Sequence, residues 1–343
     1  MTTEAAAAGE RKPLVVTMGE PAGVGGEITL KAWLRRTTGT CPFVVIDDAE
    51  RLRRLATALE LQVPVREVNA IEESSDAFAT ALPVLNRPLP APVSYGHVNP
   101  ANAPAVIAAI EMAVRFALDG KAAAVVTNPI NKKALYDAGF LFPGHTEFLA
   151  ALSGDATPVM MLAGPTLRVV PVTIHVSLQN AITTLTPARI IQAAAITSEA
   201  LRRDFGIDRP RLAVAGLNPH AGEDGELGSE EAELVAPAID ALHALGIDAV
   251  GPLPPDTLFS PRSRPTFDAA ICMYHDQALI PLKALDFDQG VNVTLGLPFV
   301  RTSPDHGTAL DIAGTGQADE SSLIAALDMA AAMAARRVGS AHA

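Results

Sequence analysis

The stretch PLVVTMGEPAGVGGE, residues 13–27, decides the fold. Pro13 to Met18 is an apolar, β-rich run of strand length and predicts a first strand. A glycine-rich turn follows at once, and a helix runs on to about Arg36. The same strand-to-helix cue repeats along the chain. CPFVVIDD (41–48) is a strand, and DDAERLRRLATALEL carries its apolar residues at helical spacing. AAAVVTN (122–128), PVMMLAG (158–164), TLRVVPVTIH (166–175), RLAVAGLN (211–218) and FDAAICMYH (267–275) are further strand candidates. Several are continuous apolar runs of the kind buried on both faces of a sheet. Between them lie helices from Asn102–Pro104 to Leu118, from Pro187 to Phe205, and from Ser229 to Leu245. Ser229 is the expected N-cap of the last, with Glu230 and Glu231 in its first turn. The proline-rich segment 86–100 is the longest expected surface loop. Alternating β and α elements define an α/β class with mostly parallel sheets.

Composition narrows the function. The 343 residues are 49% hydrophobic and 19% charged, enough for a substantial core in two ordinary domains or one large α/β unit. A formal net charge of −12 argues against a nucleic-acid surface, which needs clustered Lys and Arg. It leaves room for a local basic pocket. Two cysteines, Cys41 and Cys272, allow neither a disulfide framework nor a Cys-rich zinc site, in keeping with a cytoplasmic setting. No secretory leader or membrane span is expected, because the apolar stretches 104–118 and 321–335 are interrupted by Glu111, Arg115 and Asp328. Residues 1–12 and the tail after Arg337 are expected to fray in solvent.

Four motifs bear on chemistry. GEPAGVGGE (19–27) matches neither G-x-G-x-x-G nor a P-loop. Two readings stand: close approach of a bound anion to the backbone, or glycine required by a tight strand–helix connection. Among the histidines, His175, His220 and His275 each fall where a strand ends, the place where open α/β sheets gather ligands. Three imidazoles from three strand ends suit a divalent ion. Their spacing matches no local zinc signature, so isolated structural histidines are the competing reading. His243, within a helix, and His342, in the tail, read as structural or solvated. GHTEFLA (144–150) sets His145 and Thr146 at a helix start, as anion-binding donors or with Thr146 as a simple N-cap. After His275 come Lys283, Asn292 and Arg301, two cations and an amide suited to a polyanionic substrate. Solvated surface residues are the alternative. DHGTALDIAGTG (305–316) is a polar, glycine-punctuated loop.

Taken together these motifs resemble a known family. GEPAGVG, INKKAL…GFLFPGHTEFLA, GLNPHAGEDGELGSEE, GPLPPDTLF, YHDQALIPLK and FVRTSPDHGTALDIAGTG occur in order from Pro13 to Asp319. The set is similar to the 4-hydroxythreonine-4-phosphate dehydrogenase (PdxA) family of vitamin B6 biosynthesis. One departure stands out: the first motif reads GVGGE where the family commonly has proline after the second glycine.

The resemblance implies an isocitrate/isopropylmalate dehydrogenase-like fold of two α/β domains with an interdomain active-site cleft. Residues 13–128 plus 300–343 would form the cofactor side, and 129–299 the substrate, metal and dimerisation domain. It implies that His175, His220 and His275 bind one divalent ion (zinc, magnesium, cobalt or manganese), with His275 coming from the partner of a homodimer. His145, Thr146, Lys283, Asn292 and Arg301 would bind substrate. Asp256 and Asp276 would lie near the metal, and Lys283 leads, before Asp256 or Asp276, as the proton-transfer group. His306, Gly307, Asp311, Ala313 and Gly314 would hold NAD or NADP. The implied reaction is oxidation of 4-phosphooxy-L-threonine. Paralogues that oxidise D-threonate or D-erythronate 4-phosphate, or a cyclohexadiene diol dicarboxylate, share these motifs. A phosphate acyltransferase of related architecture would need neither NAD nor the histidines, and a non-enzymatic binding protein would leave them unexplained.

Overall fold

The computed structural model describes residues 12–154 and 156–340. Residues 1–11 and His342 lie outside them. The chain divides into two compact units, one of residues up to Ala156 plus Leu297–Ala335, the other of Thr157–Gly296 plus the residues from Arg336.

The first unit opens with β1 (Leu14–Thr17), α1 (Gly25–Leu34), β2 (Phe43–Asp47), α2 (Ala49–Ala58), β3 (Val65–Val68), α3 (Ser74–Phe78) and β4 (Leu82–Asn86). It continues with α4 (Ala103–Leu118), β5 (Val125–Thr127), α5 (Lys132–Asp137) and α6 (His145–Leu152). The second unit holds β6 (Val159–Ala163), β7 (Arg168–Pro171), α7 (Leu178–Thr184), α8 (Pro187–Arg203), β8 (Arg211–Ala215), α9 (Ala236–Ala244), β9 (Asp248–Leu253), α10 (Pro255–Leu258), β10 (Ala269–Cys272), α11 (His275–Asp286) and β11 (Val291–Leu295). The chain then returns to the first unit with β12 (Arg301–Pro304) and enters α12 (Ser321–Ser340).

In the first unit the strand order is β3-β4-β2-β1-β5-β12, and the pairings among the described residues are parallel. β1 and β2 are wholly buried, as strands covered by helices on both faces must be. In α4, Val106, Ala109, Ile110, Ala113 and Val114 repeat at helical spacing and pack into the core. The helix from Pro100 to Leu118 is long and apolar enough by composition to cross a membrane, but this stripe joins the core. The expected boundary near 128 is replaced by a division after Ala156. α6 explains it, since Phe148, Leu149 and Ala150 share a core with Ile110, Val114, Leu297 and Phe299.

In the second unit the order is β11-β6-β7-β10-β8-β9. β7, β10, β8 and β9 run parallel, whereas β6 is antiparallel to both β11 and β7. The run 166–175 yields a strand only to Pro171, because β7 turns off the sheet after its parallel ladder with β10. At the far end, α12 continues through Val338 and Gly339 to Ser340, so the tail after Arg337 does not fray at once. Arg337 is one reason: its guanidinium, with that of Arg203, grips the buried Asp204 carboxylate.

Candidate active site

The glycines of 19–27 serve the protein's own backbone. A methyl group on Gly19 would meet the Pro129 carbonyl oxygen at 2.6 Å, and one on Gly23 would meet the Thr308 carbonyl oxygen at 2.8 Å. The Val24 N–H donates to that same Thr308 oxygen at 3.0 Å. The turn is thus stitched to the loop 305–316, and Glu27 and Lys31 continue the seam. Ala318 N donates to Glu27 Oε1, and Lys31 Nζ donates to the carbonyls of Gly316 and Ala318. Within the loop Ala309 has a left-handed φ of 42°, and Gly314 lies against the Tyr95 ring, where a Cβ would sit 2.7 Å from Cγ. His306 Nδ1 is 2.9 Å from the Gly307 carbonyl oxygen, and its buried Nε2 has no hydrogen-bond partner.

Also in the first unit, Arg301 is buried at the start of β12 and donates from Nη2 to Thr127 Oγ1 at 2.6 Å. Burial pushes its pKa down to about 10, so it remains a cation at neutral pH. Gly144, in extended conformation, is the N-cap of α6, so Thr146 is not the cap and stands in the first turn beside His145. His145 is held well below the usual imidazole range by burial, then by the cations of Arg301 and Lys132. It is therefore neutral at physiological pH, and its Nε2 is shielded from water with no partner. A cation, a neutral imidazole and a helix N-terminus make a donor set for an anion. Sequence reading missed Asn128, whose amide donates to Thr17 O and Thr29 Oγ1 and braces the first glycine turn.

In the second unit the histidines follow the carboxyl ends of three adjacent parallel strands, with β10 between β7 and β8. His275 opens α11 after β10, and His175 follows β7 with a left-handed φ of 53°. Thr173 ties the two exits together by donating to the Met273 carbonyl oxygen at 2.8 Å. The His175 and His275 rings lie 5.7 Å apart on a cavity of about 180 Å³ that Asp276 also lines. Asp276 Oδ1 is 2.7 Å from His275 Nδ1, an orientation that leaves Nε2 for a ligand.

Two imidazoles and a carboxylate have the right chemistry for a divalent cation. Among the described residues, no three His, Cys, Asp or Glu side chains gather as one metal group. His220 is exposed on a turn in which His220 to Asp224 all have positive φ. Asp256 is exposed on α10, which packs on that turn. Lys283 lies two helical turns beyond His275, roughly 12 Å along α11, with Nζ 5.9 Å from the Phe287 ring. Asn292 is on β11, opposite Leu162. His243 is structural, its Nε2 2.7 Å from the Ala249 carbonyl oxygen. Glu231, expected in the first turn of a helix, is 5% exposed and accepts from Asn218. The segment begins as a π-turn, Glu231–Val235, and becomes α-helical only at Ala236.

Known proteins share this fold. The crystal structure of 4-hydroxythreonine-4-phosphate dehydrogenase from Klebsiella pneumoniae superposes with a TM-score of 0.85 at 40% identity, covering 94% of this chain and 99% of that one. A terephthalate 1,2-cis-dihydrodiol dehydrogenase from Burkholderia xenovorans superposes with a TM-score of 0.64 at 29% identity, covering 94% and 98%. A relative from Caulobacter vibrioides, named 4-hydroxythreonine-4-phosphate dehydrogenase, is 54% identical over 332 residues, 95% of this chain and 98% of its own. The fold is therefore that of the solved 4-hydroxythreonine-4-phosphate dehydrogenases. Residues 39–330 match the model of the pyridoxal phosphate biosynthetic protein PdxA, and the chain belongs to that family.

Proposed function

We propose that the chain is an NAD- or NADP-dependent dehydrogenase that requires a divalent metal and oxidises the C3 hydroxyl of 4-phosphooxy-L-threonine. The product, 2-amino-3-oxo-4-phosphooxybutanoate, is a β-keto acid and loses CO2 to give 3-amino-2-oxopropyl phosphate, on the route to pyridoxal phosphate. Family membership and the relatives' names support the substrate. The single observation that carries the chemistry is the pair of imidazoles, His175 and His275, on one cavity.

A divalent ion held by His175, His220 and His275 would supply Lewis acidity at the reacting oxygen. A nicotinamide held by His306, Gly307, Asp311, Ala313 and Gly314 would accept the hydride. The chain's own residues do the rest. Arg301 and His145, with Thr146 and Asn292, bind and orient the substrate's anionic groups. Arg301 contributes a permanent charge, while His145 contributes an uncharged N–H or lone pair. Lys283 takes the hydroxyl proton, with Asp256 or Asp276 as the alternative base. Asp276 also fixes the ring of His275.

The protein acts in the cytoplasm as a homodimer whose subunits share the site. His275 is the ligand that the family resemblance gives to the partner, and within one chain its ring lies 5.7 Å from that of His175. Co-expressed His220→Ala and His275→Ala chains should regain activity as heterodimers; inactive heterodimers would refute sharing.

NADH formation with 4-phosphooxy-L-threonine, lost on chelation and restored by added divalent metal, tests the reading directly. The likeness to the dihydrodiol dehydrogenase favours a diol dicarboxylate as the second reading. Faster turnover of that compound, or of D-threonate or D-erythronate 4-phosphate, reassigns the substrate. No NAD(P)H from any of them ends the dehydrogenase reading.

A further inference from the structure

We infer that Glu231 is a positioning residue that holds the His220 loop in its ligand-presenting shape. The inference rests on the reading of His220 as a metal ligand and goes one step deeper, to what aims it.

The loop's backbone needs such a brace. From His220 to Asp224 five consecutive residues have positive φ, and four of them, His220, Ala221, Glu223 and Asp224, carry a side chain. L-residues avoid this conformation because Cβ crowds the following carbonyl, so a run of them persists only where surrounding bonds over-determine it. The bonds of Glu231 reach the loop's root. Its Oε1 accepts from the backbone N–H of Asn218 at 2.7 Å, and its Oε2 accepts from the Asn218 side-chain amide at 2.9 Å. Glu230 takes a second bond from that amide at 2.7 Å. Asn218 is two residues before His220.

The loop also closes around the carboxylate. A Cβ on Gly222 would lie 2.7 Å from Glu231 Oε2, and one on Gly216 would lie 3.1 Å from Oε1. Glycine at both places lets the chain pass on either side of one buried carboxylate. Glu231 opens the π-turn Glu231–Val235, and its side chain is buried there. Gln277 anchors the same root from the other direction. Its amide donates to the Gly216 carbonyl oxygen at 2.7 Å and its own oxygen accepts from Met273 N at 2.6 Å. Gln277 is two residues after His275, so the strand exits that precede His220 and His275 are tied to one side chain. Groups bonded directly to a metal ligand typically change metal affinity roughly 10–100-fold when removed, and Glu231 acts one step further back, on the loop that carries the ligand.

The test is cobalt(II) binding to the full chain, followed by its visible ligand-field spectrum. His220→Ala, Glu231→Ala and Glu231→Gln are compared with wild type. Glu231→Ala should raise the cobalt Kd roughly tenfold, the lower end of that range, and change the spectrum. Glu231→Gln, which keeps one acceptor oxygen, should lie between Glu231→Ala and wild type. If Glu231→Ala does not fold, Asn218→Ala removes the side-chain half of the clasp and should still raise Kd. Wild-type cobalt affinity and spectrum in Glu231→Ala, or in Asn218→Ala if that variant stands in, overturns the inference, provided His220→Ala is impaired. Unimpaired cobalt binding in His220→Ala overturns the underlying metal assignment and the inference with it, and the two failures are told apart by that variant.

Discussion

Replacing Gly314 by alanine should loosen the 305–316 loop and weaken NAD binding. Two costs add. Gly314 has φ +73°, a conformation that costs an alanine about 1–2 kcal/mol. The new methyl would also sit 2.7 Å from Tyr95 Cγ, 2.8 Å from Cδ2 and 3.0 Å from Cβ. Tyr95 cannot swing aside freely, because its phenol lies beside the buried Arg51 guanidinium, itself locked by Asp47 and the Pro21 carbonyl. Overpacking of this kind costs about 1–3 kcal/mol. Alanine restricts the unfolded chain, which returns about 0.4–1 kcal/mol. The balance is a loss of about 1–5 kcal/mol, or roughly 2–20 °C in Tm for a unit of this size. Strain released by displacing the loop also displaces the groups proposed to hold NAD, so KM for NAD should rise while kcat changes less. Gly39→Ala is the control: its φ is ordinary and a Cβ there meets nothing within 4 Å. It should stay within about 0.5 kcal/mol of wild type. Thermal melts and NAD titrations of the two variants decide the matter. Gly314→Ala melting with the wild type and binding NAD unchanged would show that the loop is not seated on Tyr95 as argued.

Three further outcomes are expected. Asp276→Asn should leave the fold intact but weaken metal binding about tenfold or more in calorimetry, since the amide no longer fixes the His275 ring as a carboxylate does; unchanged affinity would remove Asp276 from the site. Arg301→Lys should cut kcat/KM at least tenfold despite keeping the charge, because a lysine lacks the forked donors that reach Thr127 and an anion together; near-wild-type kinetics would reject Arg301 as a substrate group. Asp204→Asn should cost about 2–4 kcal/mol at neutral pH in urea unfolding, by leaving Arg203 and Arg337 without their carboxylate. Burial pushes the Asp204 carboxyl up, but the hydrogen bonds of Arg337 and Arg203 outweigh it and hold it below the ordinary range. Its contribution is therefore complete above the ordinary carboxylate pKa and is lost as pH falls through the depressed one, so wild type and variant should converge in acid; a pH-independent difference would contradict the pairing.

Much of the fold was legible in the sequence because parallel strands buried on both faces must be continuous apolar runs. Leu14–Thr17 and Phe43–Asp47 announce themselves that way. The antiparallel position of β6, between β11 and β7, was not legible, since VMMLA reads the same in either direction. The histidines were legible as strand-end residues, and the adjacency of β7, β10 and β8 explains why that cue led to a pair. What supports them was hidden. Glu231 looks like an ordinary first-turn acid, and only the path of the Asn218 loop reveals that it is buried. The glycine turn at 19–27 left two readings open, and the contacts with Pro129, Asn128 and Thr308 supply the geometric requirement.

The parallel trio in the second unit acts as a ruler. Backbone hydrogen bonding sets neighbouring strands about 4.8 Å apart, whatever side chains they carry. β7 and β10 leave their last shared rung, Pro171 beside Cys272, only a few residues before His175 and His275, and the 5.7 Å between the two rings is close to that gauge. Adding or removing a single residue on either strand would slip its exit along the ladder by about 3.3 Å, so insertions should be far better tolerated in the exposed turn 37–39 than between Arg168 and His175.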